Sequence, residues 1–137
     1  MSDDAVRAAS HRFYAALSRM MQGDAPALSD VWSHGSDVST MHPVGGRSIG
    51  WLAVKESWEQ VAKLAGGGTA TIEDQVVHVM GEVAIELGQE RGSATFGGHR
   101  VAIDWRVTNV YRQEGGAWKV VHHHADVSNA MVEAVRA

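Results

Sequence analysis

The chain has no cysteine. Disulfide frameworks, thiolate zinc sites, iron–sulfur clusters and thiol nucleophiles are thereby excluded. Basic residues are in deficit: 12 Lys+Arg stand against 16 Asp+Glu, a net charge of −4. Binding to phosphate backbones relies on clustered basic residues, so no nucleic-acid partner is expected. No apolar run reaches the roughly 18 residues a transmembrane helix needs. The start, Met1 to Arg7, is acidic and lacks the apolar stretch of a secretory signal. No membrane partner and a cytoplasmic location are therefore expected. No Gly-x-Gly-x-x-Gly opens a helix after a strand, and no Ser nucleophile elbow is present. No cofactor is expected.

What is present describes one globular domain over residues 1–137, with a hydrophobic fraction of 45% and a charged fraction of 20%. Eight His, five Trp and 15 Gly stand out for this length. They raise the question of a site.

Residues 3–22 form an amphipathic pattern, with Val6, Ala9, Phe13, Leu17 and Met20 at helical spacing. Gly23 should stop that helix. Asp24 should then cap a short second one carrying Leu28, Val31 and Trp32, with Pro26 in its first turn. Val38 to His42 reads as a short strand, broken by Pro43 and a Gly45-Gly46 turn. Trp51, Val54, Trp58, Val61 and Ala65 then mark a third helix near residues 50–65, with Gly66-Gly67-Gly68 as its terminator.

Beyond Gly68 the period changes to two. Ala70, Ile72, Val76 and Val77 sit in one strand, and Met80 to Val83 makes a tight hairpin. Val83, Ile85 and Leu87 alternate in the next strand, and the Gly- and Ser-rich stretch 90–99 reads as a loop or irregular strand end. Val101, Ile103, Trp105, Val107, Asn109 and Tyr111 alternate along a long strand. Glu114-Gly115-Gly116 turns the chain into a last strand from Trp118 to Asp126. The expected class is α+β: three N-terminal helices packed on a strongly curved, mostly antiparallel sheet. Val76-Val77 and Val120-Val121 are apolar on both strand faces. A sheet covered by helices on one side only should be polar on the other, so a second copy covering the outer face, a homodimer, is expected.

The order helix, helix, strand, helix, then hairpin-rich sheet resembles the nuclear-transport-factor-2-like superfamily, a cystatin-like cone whose mouth holds a pocket. Three segments carry a closer likeness to its SnoaL-like group: His42 to Gly46 followed by Gly50-Trp51, Arg106 to Arg112, and Trp118 to His124. The association domain of calmodulin-dependent kinase ends similarly. The resemblance spans nearly the whole chain and implies a single SnoaL-like domain. The superfamily includes isomerases, dehydratases, epoxide hydrolases, polyketide cyclases and domains without known chemistry, and the fold alone selects none of them.

In a strand, His122 and His124 share one face and His123 takes the other. Two His at that spacing could hold zinc with a third ligand, and Asp126 shares their face; hydrogen bonding across a subunit interface is the competing reading. The resemblance turns this face outward, against a partner, and no metal is expected. His123 points inward with Val121 and Ala125, on the side of Trp105, Val107, Asn109 and Tyr111, as a pocket wall or as a core histidine. The resemblance also places His42 where the steroid isomerases of this fold carry a catalytic carboxylate before Pro-Val-Gly. Their helix-one tyrosine falls on Phe13, beside Tyr14, and their second acid near Val107. Both donor positions are thus replaced, and Tyr14, Asn109 or His123 would have to serve a developing oxyanion. The candidate catalytic residues are His42 and His123. The candidate binding residues are Phe13, Tyr14, Trp32, Trp51, Trp105, Val107, Asn109 and Tyr111, around a small apolar or aromatic ligand. Trp58 reads as core, and Glu73-Asp74 as a solvated edge. Three functions stay open: a small-molecule-binding domain, a cofactor-independent isomerase, lyase or cyclase with a histidine base, and a non-catalytic association module.

Overall fold

The structure is a computed structural model and describes residues 3–136. Met1, Ser2 and Ala137 of the expected single domain lie outside the described residues.

Helix α1 (Asp4–Met20) buries Val6, Ala9, Phe13, Leu17 and Met20, the stripe its spacing predicts. A 3₁₀ helix follows at Ala25–Asp30 with Pro26 in its first turn; Asp24 makes no side-chain capping bond there, contrary to expectation. Strands β1 (Ser39–His42) and β2 (Gly45–Ile49) form a small hairpin turned by Pro43-Val44, so Gly45-Gly46 opens a strand instead of making the turn. Helix α2 (Trp51–Leu64) buries Val54, Trp58 and Ala62.

Three long strands come next: β3 (Ala65–Met80), β4 (Val83–Phe96) and β5 (His99–Glu114). Strand β6 (Ala117–Ala125) and helix α3 (Asn129–Arg136) complete the chain. The sheet order is β2-β1-β6-β5-β4-β3, antiparallel throughout except for the parallel β1–β6 pair. The fold is α+β with a curved six-stranded sheet, as expected. No helix among the described residues is long and apolar enough to cross a membrane.

Two glycine-rich stretches depart from expectation for one reason. Gly66 to Gly68 belongs to β3, and residues 90–96 belong to β4. A Cβ on Gly92 would lie 2.0 Å from the Thr69 carbonyl oxygen, and one on Gly68 would lie 2.4 Å from the Ala94 Cβ. These glycines let two strongly twisted strands approach; they do not break them. Helix α3 carries no pattern strong enough to be picked out of eight residues, and it seats Met131 and Ala134 against the sheet.

The inner sheet face makes the core. Val101, Ile103, Trp105, Val107, Asn109 and Tyr111 are all buried, as the period-two reading of β5 requires. In β4 the expectation inverts. Ala84, Glu86, Glu90 and Ala94 face inward and are buried, while Val83 is 36% and Leu87 42% exposed. In β6 a bulge at Val121 shifts the register, since Val110 pairs His122 while Tyr111 pairs Val120. Val120 therefore shares the inner face with His123 and Ala125, and Val121 drops out of that set.

Candidate functional site

The register of β4 on β5 sets Glu86 opposite Asn109 and Glu90 opposite Trp105. Helix α1 crosses above them and lowers Tyr14 onto the pair. The result is a buried polar network inside an otherwise apolar cone. Glu90 accepts from Tyr14 Oη at 2.8 Å and from Trp105 Nε1 at 2.7 Å. Asn109 Nδ2 donates to Tyr14 Oη at 3.0 Å and to Glu86 at 2.9 Å. Tyr111 Oη donates to Glu86 at 2.7 Å, and Gln75 Nε2 donates to it as well. Burying two carboxyl groups is costly unless donors surround them, and here each has at least two.

The network fixes the tautomer of His123. Both Asn109 amide hydrogens are engaged, so its Oδ1 accepts from His123 Nδ1 at 2.6 Å. His123 Nε2 then carries the lone pair, 4.0 Å from Glu90 Oε2. His42 is fixed in the same way. Ser57 Oγ donates its single hydrogen to the Val54 carbonyl at 2.6 Å, so at 2.8 Å it accepts from His42 Nε2. That leaves His42 Nδ1 as a free acceptor.

His42, Glu90, Trp105 and His123 line one cavity of about 40 Å³, together with Trp58, Met20, Met21 and Met131. At about 10–15 Å³ per water, the cavity as it stands has room for a few waters, and a larger occupant needs its wall to repack. Three buried methionines in the wall are unbranched and can repack around an occupant. Trp58 Nε1 is buried and has no hydrogen-bond partner among the described residues.

Burial separates the titrations of these groups. It pushes the Glu90 carboxyl up to about 7, against the pull of its Tyr14 and Trp105 donors and with help from the Glu86 charge. It pushes His42 down to about 4, and it holds His123 well below the ordinary histidine range, with His42 adding to the effect. At neutral pH both imidazoles are uncharged, and Glu90 is poised between its two forms.

The other candidate residues are placed as follows. Phe13 and Trp32 are core side chains, with Phe13 packed edge-on behind His123 at 5.3 Å. Val107 is buried in the core and lines no part of this cavity. Tyr14, Asn109 and Tyr111 belong to the carboxylate network, and their donors are committed to it. Trp51 stacks on His34, with ring centres 4.3 Å apart, and lines a separate surface groove with Pro26 and Lys55. His122 bonds Ser39 Oγ at 2.7 Å on the outer face, and Asp126 is taken by Arg106 at 2.8 Å. Among the described residues, no group of His, Asp or Glu gathers to hold a metal.

Glu86, Glu90, Ser57 and Trp58 did not stand out as site residues in the sequence. The two acids had a signal. The two-residue Gly97-Gly98 turn fixes the β4–β5 register, and the inward face of β5 then selects Glu86 and Glu90. Reading residues 90–99 as a loop discards that register.

No curated protein matches the chain. Among solved structures, one similar protein comes from Streptomyces avermitilis and is provisionally called a dehydratase of the nuclear-transport-factor-2-like family. It is 28% identical, with 93% of this chain and 96% of that one covered and a TM-score of 0.79. A Thiobacillus denitrificans protein, provisionally called a calmodulin-dependent kinase type II association domain, is 26% identical over 90% of this chain and 94% of its own, with a TM-score of 0.73. A Caulobacter vibrioides protein with a cystatin-like fold shares that fold at 15% identity over 95% of this chain and 92% of its own, with a TM-score of 0.73. A family profile described as the SnoaL-like domain matches residues 6–129. With that match over most of its length and that fold, the chain belongs to the SnoaL-like domain family of the nuclear-transport-factor-2-like superfamily.

Proposed function

We propose that this domain binds a small, largely apolar carbonyl compound in its internal cavity and moves protons on it, as a lyase or isomerase. The observation that carries the reading is the convergence of Glu90, His42 and His123 on one cavity, with their titrations pushed apart by burial. Environments that separate acids from bases in this way are how a single pocket holds both partners of proton transfer. The provisional dehydratase label of the 28% identical relative supports water elimination as the reaction class.

In such an elimination, His42 Nδ1 takes the proton beside the carbonyl, and that C–H electron pair becomes the new double bond. The C–O bond to the hydroxyl breaks, and Glu90 delivers its proton so that water leaves. Trp58 Nε1 is the uncommitted donor for the carbonyl oxygen, since the hydrogens of Tyr14, Asn109 and His123 are already engaged. His42 also lines a groove open to solvent, through which it returns its proton to water, and Glu90 is reprotonated from the same pool. Met20, Met21 and Met131 make room for the substrate. A homodimer through the outer sheet face and a cytoplasmic location are part of this reading.

The test is a panel of aryl β-hydroxy ketones followed by the ultraviolet absorbance of the conjugated product. Glu90→Gln and His42→Gln should each slow turnover by at least about 100-fold, the scale of losing a general acid or base. The rate should fall as pH rises through about 7, where Glu90 loses its proton. Turnover that persists in both variants, or no turnover anywhere in the panel, overturns the reading. In that case the small cavity and the 26% identical association-domain relative favour a non-catalytic module.

A further inference from the structure

A second concavity lies outside the cone. The β1–β2 hairpin and helix α2 border a groove of about 310 Å³ that shares only His42 and Val61 with the internal cavity. Its chemistry is opposite to that of the interior. No Asp or Glu lines it, and its one charged side chain is Arg47. Arg47 is exposed and forms no ion pair or hydrogen bond with any described residue. Its placement is built into the hairpin. Thr40 pairs Ser48 while His42 pairs Gly45, so β2 holds one extra residue at Gly46-Arg47. A bulge of that kind re-aims a side chain, and here it brings Arg47 onto the groove.

The rest of the lining is rich in hydrogen-bonding groups. Ser48, Ser57 and Gln60 contribute polar side chains. Thr40 lines the same groove, is 1% exposed, and its Oγ1 has no hydrogen-bond partner among the described residues. A buried hydroxyl left without a partner costs free energy that a ligand oxygen would recover. A Cβ built on Gly45 or Gly46 would meet nothing within 4 Å, so the backbone there is open to close approach.

We propose that this groove is a binding site for a small oxyanion, the carboxylate or phosphate group of a ligand, with Arg47 as its charged anchor and Thr40 as a donor. Arg presents a planar fork of N–H groups that matches either anion in bidentate fashion. The site stands whether or not the cavity is catalytic. Where the two act together, the anionic end of a substrate sits beside His42 on the solvent side.

The test uses inorganic phosphate and propionate as separate probes, titrated into isotope-labelled protein while the backbone amide resonances are followed. Saturable shifts should centre on residues 45–48 and on Arg47 Nε–H. The probe that saturates at lower concentration identifies the anion class. Arg47→Gln should weaken binding at least tenfold, and Thr40→Val should weaken it less. Arg100→Gln, at an exposed cation of β5 that does not line the groove, should leave it unchanged. Glu90→Gln should also leave it unchanged, which separates this site from the proton-transfer reading. Shifts that never saturate, that map elsewhere, or that survive Arg47→Gln overturn the proposal.

Discussion

The two faces of strand β4 reverse the usual arrangement of a sheet. Its inner face carries Glu86 and Glu90, which are 0% and 3% exposed, while its outer face carries Val83 and Leu87 in partial contact with solvent. Neither face follows from hydropathy alone. The inner acids are tolerable because every nearby donor is aimed at them: Tyr14, Gln75, Trp105, Asn109 and Tyr111. The outer aliphatics, with Val76 opposite Leu87 on β3, have no covering element among the described residues. Burial here follows the sheet's curvature and the position of α1. Residue polarity then dictates what each face must find: donors inside and a second surface outside.

The inner network is weakened most by a change at Asn109. Asn109→Leu strips a partner from Glu86, Tyr14 and His123 together. With about 1–3 kcal/mol per orphaned buried group, the loss should be roughly 4 kcal/mol in urea unfolding. A loss below about 1 kcal/mol would mean that the network does not hold these acids.

The next effect depends on pH. Glu90 has a folded pKa of about 7 against an ordinary 4.5, so the folded state binds its proton more tightly than the unfolded state. Stability from this group is full below about 4.5 and is lost as pH rises towards 7, by up to about 3 kcal/mol at 1.36 kcal/mol per unit. His42 works in the opposite direction. Its folded value of about 4 against 6.5 means stability is lost as pH falls from 6.5 towards 4. Subtracting the Glu90→Gln stability curve from the parent curve isolates the first trend. A flat difference between pH 4.5 and 7 contradicts the buried, protonated acid.

The smallest energetic effect belongs to the outer face. Leu87→Arg should change the stability of the single chain by less than about 1 kcal/mol, because Leu87 is already 42% exposed. It should still reduce the sedimenting species to the 14.7 kDa of one chain. A parent protein that already sediments at that mass leaves the outer aliphatics without the second copy proposed for them.

Much of the fold was legible because its signals are local. The helical spacing of Val6 to Met20 and the alternation of Val101 to Tyr111 need no distant partner to be read, and both hold in the structure. The resemblance carried by His42 to Gly46 and Trp118 to His124 pointed to the family that the profile match shows. The site was legible only in part. His42, Trp105 and His123 do line one cavity, but aromatics such as Trp32 and Trp51 look alike in sequence whether they pack a core, line a groove or face a ligand. The acids were hidden because alternation tells which residues share a face, not which face is inward.

The first helix, the alternation of β5, the absence of thiol chemistry and the split of His122 and His124 from His123 were readable in the sequence alone. Those follow from backbone geometry and composition, which act over a few residues. The tertiary fold was needed to place Glu86 and Glu90 inside, to leave Trp58 Nε1 without an acceptor among the described residues, and to bring Arg47 by a bulge to a groove beside His42. Each of these depends on register between strands or on a helix crossing them, and register is set by contacts far apart in the chain.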